Sequence, residues 1–251
     1  MSARSRWQGM AVIARLNWPF YVAAAAVLLA SLAGLILLSA FIPKLVCAAA
    51  LSGAAYFLFG SLGVSHLIYD RSDLYRWRWL DRALHGVPLH RAIFCHSGFD
   101  ETSAELRSRL AKTEWLILDH FDETRMTEAS IRRARKLFPP TVGTLPAAYD
   151  CWPAEEKTAD AVFGLLAIHE LRSERDRSAW FTEARRCLRP GGRVVLVEHL
   201  RDLANFVAFG PGFLHFHSRR SWRQAWAAAG FRLADEFCVT PWVRVFVLAA
   251  S

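Results

Sequence analysis

Two acid–histidine pairs follow two short apolar runs of this chain. His169-Glu170 ends the run Ala161–Ile168, and Glu198-His199 follows Arg193–Val197. If both runs are parallel strands, their carboxyl ends meet at one edge of a sheet. A histidine at that edge can remove a proton near neutral pH. We therefore expect catalytic residues among His169, Glu170 and His199, with helix capping or support of a neighbouring group as the structural alternative for each.

The segment between the two runs has the pattern of an amphipathic helix. Ser173–Leu188 is charged, and its apolar side chains recur on one helical face. They are Trp180, Phe181, Ala184 and Leu188. Arg189-Pro190-Gly191-Gly192 is expected to end this helix, because glycine supplies a left-handed cap and proline cannot continue the hydrogen bonding. Strand, helix and strand then form a right-handed crossover.

The whole stretch Asp160–Leu200 resembles the second half of class I S-adenosylmethionine-dependent methyltransferases. The resemblance rests on an Asp-Ala-Val-Phe strand ending in His-Glu-Leu, a helix closed by Leu-Arg-Pro-Gly-Gly, and an apolar strand ending in Glu-His. It implies a transferase that uses S-adenosylmethionine as cofactor. It extends from about Arg91 to the end of the sequence.

The resemblance implies an α/β, Rossmann-like sheet of seven strands with helices on both faces and the last strand antiparallel. The expected strands are Arg91–Cys95, Trp115–Leu118, Thr141–Leu145, Ala161–Ile168, Arg193–Val197, Phe231–Val239 and Val243–Leu248. The expected helices are Glu101–Ala111, Thr127–Leu137, Ser173–Leu188 and Ser218–Ala229.

The first strand-to-helix turn is where this family carries a glycine-rich cofactor loop. The family pattern is Gly-x-Gly-x-Gly, and the chain reads Cys95-His96-Ser97-Gly98, so that only Gly98 matches. Glycine there permits a positive φ and close approach of the ligand to the backbone. Two interpretations stay open: His96, Ser97 and Gly98 form a reshaped cofactor loop, or the domain has lost its ligand.

Two further acids match cofactor-binding positions of the family. Asp119 ends the second predicted strand, where an acid accepts the ribose hydroxyls, with Asp122–Glu123 as close rivals. Asp150 follows the third strand and matches the acid at the adenine amino group, where Cys151-Trp152 would pack against the ring. A simple turn residue is the alternative for Asp150.

The apolar composition is concentrated before Tyr69. The chain has 251 residues, of which 53% are hydrophobic. Trp18–Ile42 and Leu45–Tyr69 contain no Asp, Glu, Lys or Arg, and each is longer than the about 20 residues needed to cross a bilayer. Pro43-Lys44 is the expected turn of a transmembrane hairpin. A cleaved signal peptide is the alternative for the first run, although the second run follows at once.

Basic residues flank the hairpin on both sides. They are Arg4, Arg6 and Arg15 before it and Arg71, Arg76, Arg78 and Arg82 after it. The positive-inside rule therefore predicts an inner (cytoplasmic) membrane protein with both termini and the catalytic domain in the cytoplasm. The net charge of +8 fits an anionic membrane surface better than nucleic acid, because no dense basic run or nucleic-acid module is present.

Cysteine and histidine spacing gives no sequence evidence for a metal site. The five cysteines are Cys47, Cys95, Cys151, Cys187 and Cys238, which form no CxxC pair and suit a reducing compartment. The histidines lack short ligand spacing except His215 and His217, which could be strand residues facing opposite sides. We therefore predict no metal.

The stretch Asn205–His217 is rich in aromatic residues and lies where the family commonly covers the acceptor. Its phenylalanines are Phe206, Phe209, Phe213 and Phe216, around Gly210-Pro211-Gly212. They are either ordinary core or an apolar lid that faces the bilayer.

The sequence thus predicts a membrane hairpin at residues 1–69, a linker at 70–90 and a methyltransferase-like domain at 91–251. The predicted function is methylation of a lipid-borne or apolar small molecule at a membrane. The alternative is an inactive methyltransferase-like domain that serves as a membrane-bound binding or assembly module.

Overall fold

The computed structural model describes residues 5–251, so that Arg4 of the orientation argument lies outside the described residues. The chain divides into two compact units. The N-terminal unit reaches Ser72 and also includes Leu203–Gly212. The C-terminal unit comprises Asp73–Asp202 and Phe213–Ser251.

The helices and strands have the following bounds. The α-helices are α1 (Gln8–Leu16), α2 (Trp18–Leu37), α3 (Phe41–Ala55), α4 (Ser61–His66), α5 (Leu80–Ala83), α6 (Ser103–Arg109), α7 (Ala129–Leu137), α8 (Glu174–Cys187), α9 (Leu203–Phe209) and α10 (Arg219–Ala228). The strands are β1 (Arg91–His96), β2 (Glu114–Asp119), β3 (Thr144–Pro146), β4 (Ala159–Leu165), β5 (Leu188–His199), β6 (Phe231–Thr240) and β7 (Val243–Ala250). Three 3₁₀ segments are Leu74–Arg76, Ile168–Glu170 and Gly210–His215.

Two long apolar helical stretches form the N-terminal unit. The predicted turn at Pro43-Lys44 is wrong, because α2 ends at Leu37 and α3 begins at Phe41. Pro43 lies in the first turn of α3, where its missing N–H has no helical partner to lose. The second stretch is helical from Phe41 to Arg71 through π-helical segments at Tyr56–Gly60 and Leu67–Arg71.

A short helix, α1, precedes the two apolar stretches, and the sequence analysis did not anticipate it. The N–H groups of Gly9 and Met10 donate to the Asp70 carboxylate over 2.7 and 3.1 Å. A carboxylate suits this end of a helix because it complements the unpaired N–H groups and the helix dipole. The same carboxylate lies 3.0 Å from His66 Nδ1, and the His66 ring stacks on Trp7.

The C-terminal unit contains one seven-stranded sheet in the order β3-β2-β1-β4-β5-β7-β6. Neighbouring strands are parallel except at β7, which is antiparallel to both β5 and β6. The chain moves outward from β1 to β3 and then returns to β4 on the other side of β1. Right-handed crossovers in opposite directions place helices on both faces of the sheet. The predicted seven-stranded, Rossmann-like fold is confirmed.

Two predicted element ends differ from the structure. The fourth strand ends at Leu165, and His169-Glu170 lies in the 3₁₀ segment that follows. Helix α8 ends at Cys187 without a glycine cap, since Leu188 is already extended and begins β5. Gly191 does adopt a left-handed φ of +86°, but it lies within the irregular start of the strand.

The predicted linker at residues 70–90 is largely part of the C-terminal unit. Its buried side chains are Leu74, Trp77, Trp79, Leu80 and Ala83. Arg82 makes two hydrogen bonds to the Asp235 carboxylate, of 2.7 and 2.9 Å. The charged residues of this segment made it look like a linker in the sequence. The sequence pattern does not show that its aromatic side chains are buried.

Candidate active site

The turn after β1 brings the predicted residues Gly98 and Asp119 together. Gly98 has a φ of +82°, and a Cβ placed on it would lie 2.6 Å from Cδ2 of Phe121. Both observations require glycine at this position. The Gly98 N–H donates to Oδ1 of Asp119 over 2.8 Å, which ties the turn to the end of β2.

The Asp119 carboxylate is buried and has partners on both oxygen atoms. Oδ1 also accepts from the Phe121 N–H over 3.0 Å, and Oδ2 accepts from the guanidinium of Arg135. Arg135 lies over the Phe121 ring, 4.4 Å from its centroid. Sequence reasoning missed Arg135, which was one of several basic residues on a predicted helix.

His96 and Ser97 are buried beside this carboxylate. His96 Nδ1 lies 3.4 Å from Asp119 Oδ1, yet within the part of the chain that the structure describes both ring nitrogens and the Ser97 hydroxyl have no hydrogen-bond partner. Burial lowers the pKa of His96, although Asp119 and Asp100 act in the opposite direction. Unpaired buried polar atoms are uncommon, and a bound ligand is one explanation for them.

The adenine-side residues predicted after the third strand are partly exposed. Asp150 and Cys151 are exposed and lie at a turn, where the Cys151 N–H donates to the Ala148 carbonyl. Trp152 is buried instead, with its ring against His120 and Trp180. Its expected role beside a ligand ring is therefore not supported.

His120 is a buried residue of this region that the sequence did not single out. Its Nδ1–H donates to the Ala147 carbonyl over 3.0 Å, and Nε2 accepts from the Trp180 indole over 3.2 Å. Burial lowers its pKa to about 4, and the backbone hydrogen bond only partly opposes this. The ring is therefore neutral at pH 7 and joins β2 to α8.

The second group of site residues is built around Glu198, at the end of β5. Its buried carboxylate accepts the N–H groups of Ile168 and His169 through Oε1, at 3.0 and 3.2 Å. Oε2 lies 2.7 Å from His169 Nδ1. Because a carboxylate can only accept, Nδ1 carries a proton, and Nε2 is the ring nitrogen whose lone pair can accept one.

The His169 ring lies in a cluster with Glu170 and His215. Glu170 Oε1 lies 3.8 Å from His169 Nε2 and 3.4 Å from His215 Nε2. Glu128 Oε1 lies 3.1 Å from Nδ1 of His215. Burial alone would lower the pKa of His215, but hydrogen bonds with Glu128 and Glu170 outweigh it and raise that pKa to about 9.

The cluster corrects the sequence interpretation of His215. That residue ends the 3₁₀ segment Gly210–His215 and is not a strand residue. The ligating atoms of His169, Glu170 and His215 all lie within 4.8 Å of one another. The prediction that the histidines lack ligand spacing considered only neighbours in sequence, whereas the fold brings together residues more than forty positions apart.

His199, the third predicted catalytic residue, is buried beside this cluster. Its Nδ1–H donates to the Trp242 carbonyl over 2.9 Å, and its ring stacks on Phe216 at 4.8 Å. Phe216 also meets His169 edge to face. Phe216 of the aromatic stretch therefore packs inside the C-terminal unit, whereas Phe206 and Phe209 belong to the N-terminal unit.

Comparisons with known proteins agree with this architecture. Residues 118–196 match the family model described as a methyltransferase domain. A search of curated proteins found no match to the sequence.

Three solved structures are similar in fold. A S-adenosylmethionine-dependent methyltransferase from Aquifex aeolicus is 15% identical, with a TM-score of 0.52 over 70% of this chain and 89% of that one. A S-adenosylmethionine-dependent methyltransferase from Leishmania major is 16% identical, with a TM-score of 0.50 over 77% of each chain. The mitomycin 7-O-methyltransferase MmcR is 14% identical, with a TM-score of 0.57 over 98% of this chain and 73% of that one.

The C-terminal unit has the class I methyltransferase fold, and residues 118–196 within it match a methyltransferase domain. The prediction of a methyltransferase that uses S-adenosylmethionine as its cofactor is confirmed.

The residues of the first turn fit this cofactor in part. Gly98 supplies the positive φ of the turn, but the space beside its Cα is filled by Phe121. Among the described residues, His96 and Ser97 carry buried polar atoms without a hydrogen-bond partner. Asp119 stands at the position expected for the ribose, but Arg135 holds one of its oxygens. Ribose hydroxyls could bind both carboxylate oxygens only after Arg135 had moved.

Proposed function

We propose that the protein is a membrane-held methyltransferase that methylates a hydroxyl group of an apolar or lipid-borne acceptor. One observation carries the chemical part of this proposal: Glu198 fixes His169 so that its Nε2 lone pair is directed away from the carboxylate. A fixed lone pair can activate an acceptor hydroxyl group, and prior positioning removes much of the cost of reaching the reactive geometry.

The cofactor side of the proposed site is the turn after β1. His96, Ser97 and Gly98 would contact the methionine portion, Asp119 the ribose, and Asp150 and Cys151 the adenine. The sulfonium of S-adenosylmethionine supplies an electrophilic methyl group, whose C–S bond breaks as the new O–C bond forms. The chain's own contribution is to position the acceptor oxygen in line with that bond and to weaken its hold on the proton.

The acceptor side of the site is the cluster at the ends of β4 and β5. His169 and Glu170 follow β4, and Glu198 and His199 end β5. Glu198 acts as a positioning residue, because it touches the His169 ring and not the reacting atoms. Phe216 lies between the rings of His169 and His199 and supplies an apolar surface for the acceptor.

The membrane part of the proposal rests on two exposed apolar helices. Trp18–Leu37 and the helical stretch that begins at Phe41 are long and apolar enough to cross a bilayer, by length and composition. Only 6% and 11% of their most apolar windows are buried, so neither resembles the core helix of a water-soluble domain. The flanking arginines favour an inner membrane with the catalytic domain in the cytoplasm.

The segment Leu203–Gly212 supports a lipid-borne acceptor. It connects β5 to α10 in the sequence of the methyltransferase domain, yet it packs within the N-terminal unit. The hydroxyl of Tyr56 donates to the Val207 carbonyl within that unit. Leu203, Phe206 and Val207 are exposed, which suits contact with lipid.

A rival function has one specific observation in its favour. The ion pair between Arg135 and Asp119 occupies an oxygen that the cofactor would need. A domain locked in this state would be an inactive, membrane-bound binding or assembly module.

Calorimetry on the detergent-purified protein separates the two functions. We expect S-adenosylmethionine to bind the wild-type protein with micromolar affinity and to bind Asp119→Asn at least tenfold more weakly. Glu114→Gln is the control, because Glu114 is an exposed acid at the opposite end of the same strand, β2, and the affinity of this variant should stay at the wild-type value. Absence of binding to folded wild-type protein would favour the rival.

Methyl transfer is then measured with S-adenosylmethionine that is labelled on its methyl group. A membrane-lipid extract supplies the acceptor. Label should enter the organic phase with the wild-type protein. His169→Gln should lower kcat by about 100-fold, as loss of a group that acts on a proton commonly does. Its affinity for S-adenosylmethionine should be unchanged, and a loss of that affinity would assign His169 to the cofactor side.

A further inference from the structure

We propose that Nε2 of His169, Nε2 of His215 and the carboxylate of Glu170 bind a divalent first-row transition metal ion, Zn²⁺ in the simplest case. This inference rests on the proposed function, because the ion would bind and activate the acceptor hydroxyl there. Nothing in the sequence spacing indicated this site, since His215 is distant from the other two ligands along the chain.

The positions of the donor atoms suit a metal ion. With metal–ligand bonds of about 2.0–2.2 Å, neighbouring donor atoms lie roughly 3–3.5 Å apart. Glu170 Oε1 is 3.4 Å from His215 Nε2 and 3.8 Å from His169 Nε2. Small rotations of three side chains would therefore bring all donors to bonding distance.

Both histidines are oriented by a carboxylate on the opposite ring nitrogen. Glu198 holds Nδ1 of His169 at 2.7 Å, and Glu128 holds Nδ1 of His215 at 3.1 Å. Histidine ligands of metal ions almost always donate their second N–H to a carboxylate, a carbonyl or water, which turns the other nitrogen toward the metal. This arrangement occurs here twice, on residues from different parts of the chain, and in both cases it directs Nε2 toward Glu170.

The local charge also favours a cation. The carboxylates of Glu128, Glu170 and Glu198 surround two imidazole rings. Arg172 donates to the backbone carbonyls of His169 and His215, which fixes the main chain of both proposed ligands. A bound cation would offset the remaining negative charge at the centre of the cluster.

The donor set narrows the identity of the ion. Two imidazoles and one carboxylate with open positions are typical of catalytic Zn²⁺ sites and of nonhaem Fe²⁺ sites. Methyl transfer to oxygen requires no electron transfer, so Zn²⁺ is sufficient. An ion with an open position lowers the pKa of a bound hydroxyl group. In this state His169 is a ligand, and the ion activates the acceptor oxygen.

Metal binding is tested on the full chain in detergent, after treatment with a chelator and removal of the chelator. Zn²⁺ is titrated by calorimetry, and Co²⁺ serves as a spectroscopic probe because its visible absorption reports nitrogen and oxygen ligation. We expect one ion per chain. Glu170→Gln and His215→Gln should each weaken Zn²⁺ binding by at least 10-fold and reduce the Co²⁺ absorption.

The matched control is His85→Gln, because His85 is an exposed histidine of the same unit. It should bind Zn²⁺ as the wild-type protein does. Thermal unfolding without metal shows whether each variant is folded, and Zn²⁺ should raise the Tm of the wild type and of His85→Gln only. Binding that is equal in all four proteins, or absent from folded wild type, would overturn the metal site.

The two proposals fail in different ways. Methyl transfer that is undiminished by chelator, in protein without bound metal, would reject the ion and leave His169 as the proton acceptor of the proposed function. Stoichiometric Zn²⁺ binding that is lost in Glu170→Gln would support the metal site even if no methyl transfer to any lipid extract is detected, and the proposed function would then fail alone.

Discussion

Arg135 and a ribose hydroxyl compete to donate a hydrogen bond to the same oxygen atom of Asp119, Oδ2. The carboxylate already accepts the N–H groups of Gly98 and Phe121 on Oδ1, so Oδ2 is where an incoming ligand competes. The Arg135 side chain is one-third exposed (33%), which gives it a route to solvent. A ribose that binds Oδ2 would therefore have to displace the Arg135 guanidinium.

Replacing Arg135 should therefore strengthen cofactor binding. In Arg135→Gln the ribose no longer displaces a charged partner, and we expect S-adenosylmethionine affinity to rise about fivefold, equivalent to about 1 kcal/mol. Calorimetry measures this. Arg133→Gln, on the same helix, is the control and should have no effect. Weaker binding in Arg135→Gln would mean that Arg135 contacts the cofactor itself.

His120 should make the stability of the C-terminal unit depend on pH. Its pKa falls from 6.5 to about 4 on folding, chiefly through burial, so the unfolded chain binds a proton first as pH falls. The contribution of His120 to the free energy of unfolding should therefore be constant above pH 6.5 and decrease by about 3 kcal/mol between pH 6.5 and 4. Chemical unfolding followed at several pH values gives the slope.

The variant His120→Gln isolates this contribution. Gln retains hydrogen-bonding groups but does not titrate, so its unfolding free energy should be lower at pH 7 and flatter between pH 6.5 and 4. A wild-type slope that persists in His120→Gln would assign the pH dependence to other groups.

At the scale of elements, periodicity and apolar runs were sufficient to find every strand of the sheet but not all of their ends. β4 stops at Leu165, and the left-handed φ of Leu166 turns the chain into a 3₁₀ segment that no residue pattern marks. Residue patterns also identified only some of the residues of the candidate site. Gly98 was recognisable because glycine has a conformational reason to be there, whereas His215 acquires its neighbours only through tertiary packing.

Close packing of the two apolar helices depends on Gly34. A Cβ on Gly34 would lie 2.5 Å from the Cys47 sulfur, whereas a Cβ on Gly53 would meet nothing within 4 Å. We expect Gly34→Ala to lower the free energy of unfolding of the N-terminal unit by about 1–3 kcal/mol, the usual cost of overpacking.

Gly53→Ala is the matched control for that change. It adds the same methyl group to the neighbouring helix without a clash, so stability should be unchanged or rise by up to about 1 kcal/mol from the higher helix propensity of alanine. The measurement is thermal unfolding in one detergent at one protein concentration. Equal effects of the two alanines would show that the helices do not pack at Gly34.

At the scale of the whole molecule, the sequence divided the chain at two points, after residues 69 and 90, whereas the structure divides it at three. The predicted boundary near residue 70 is close to the observed one at Ser72. The stretch Asn205–His217 was predicted to be ordinary core or an apolar lid. The membership of Leu203–Gly212 in the N-terminal unit depends on contacts that no local pattern encodes. This segment makes the N-terminal unit discontinuous in sequence.

A nitroxide spin label at position 203 should therefore be in contact with lipid. Leu203 is 75% exposed in the N-terminal unit, and Val142 is 97% exposed in the C-terminal unit, which makes them a matched pair of exposed aliphatic residues.

Each is replaced by cysteine in a background where Cys47, Cys151 and Cys238 are serine, and each carries a nitroxide in a reconstituted bilayer. We expect oxygen to relax the label at position 203 more strongly than a water-soluble nickel complex does, with the opposite order at position 142. The physical reason is that oxygen concentrates in hydrocarbon and the nickel complex is excluded from it. If both labels were equally accessible to the nickel complex, Leu203–Gly212 would lie in water, and a lipid-borne acceptor would lose its structural support while methyl transfer to a soluble apolar acceptor would remain.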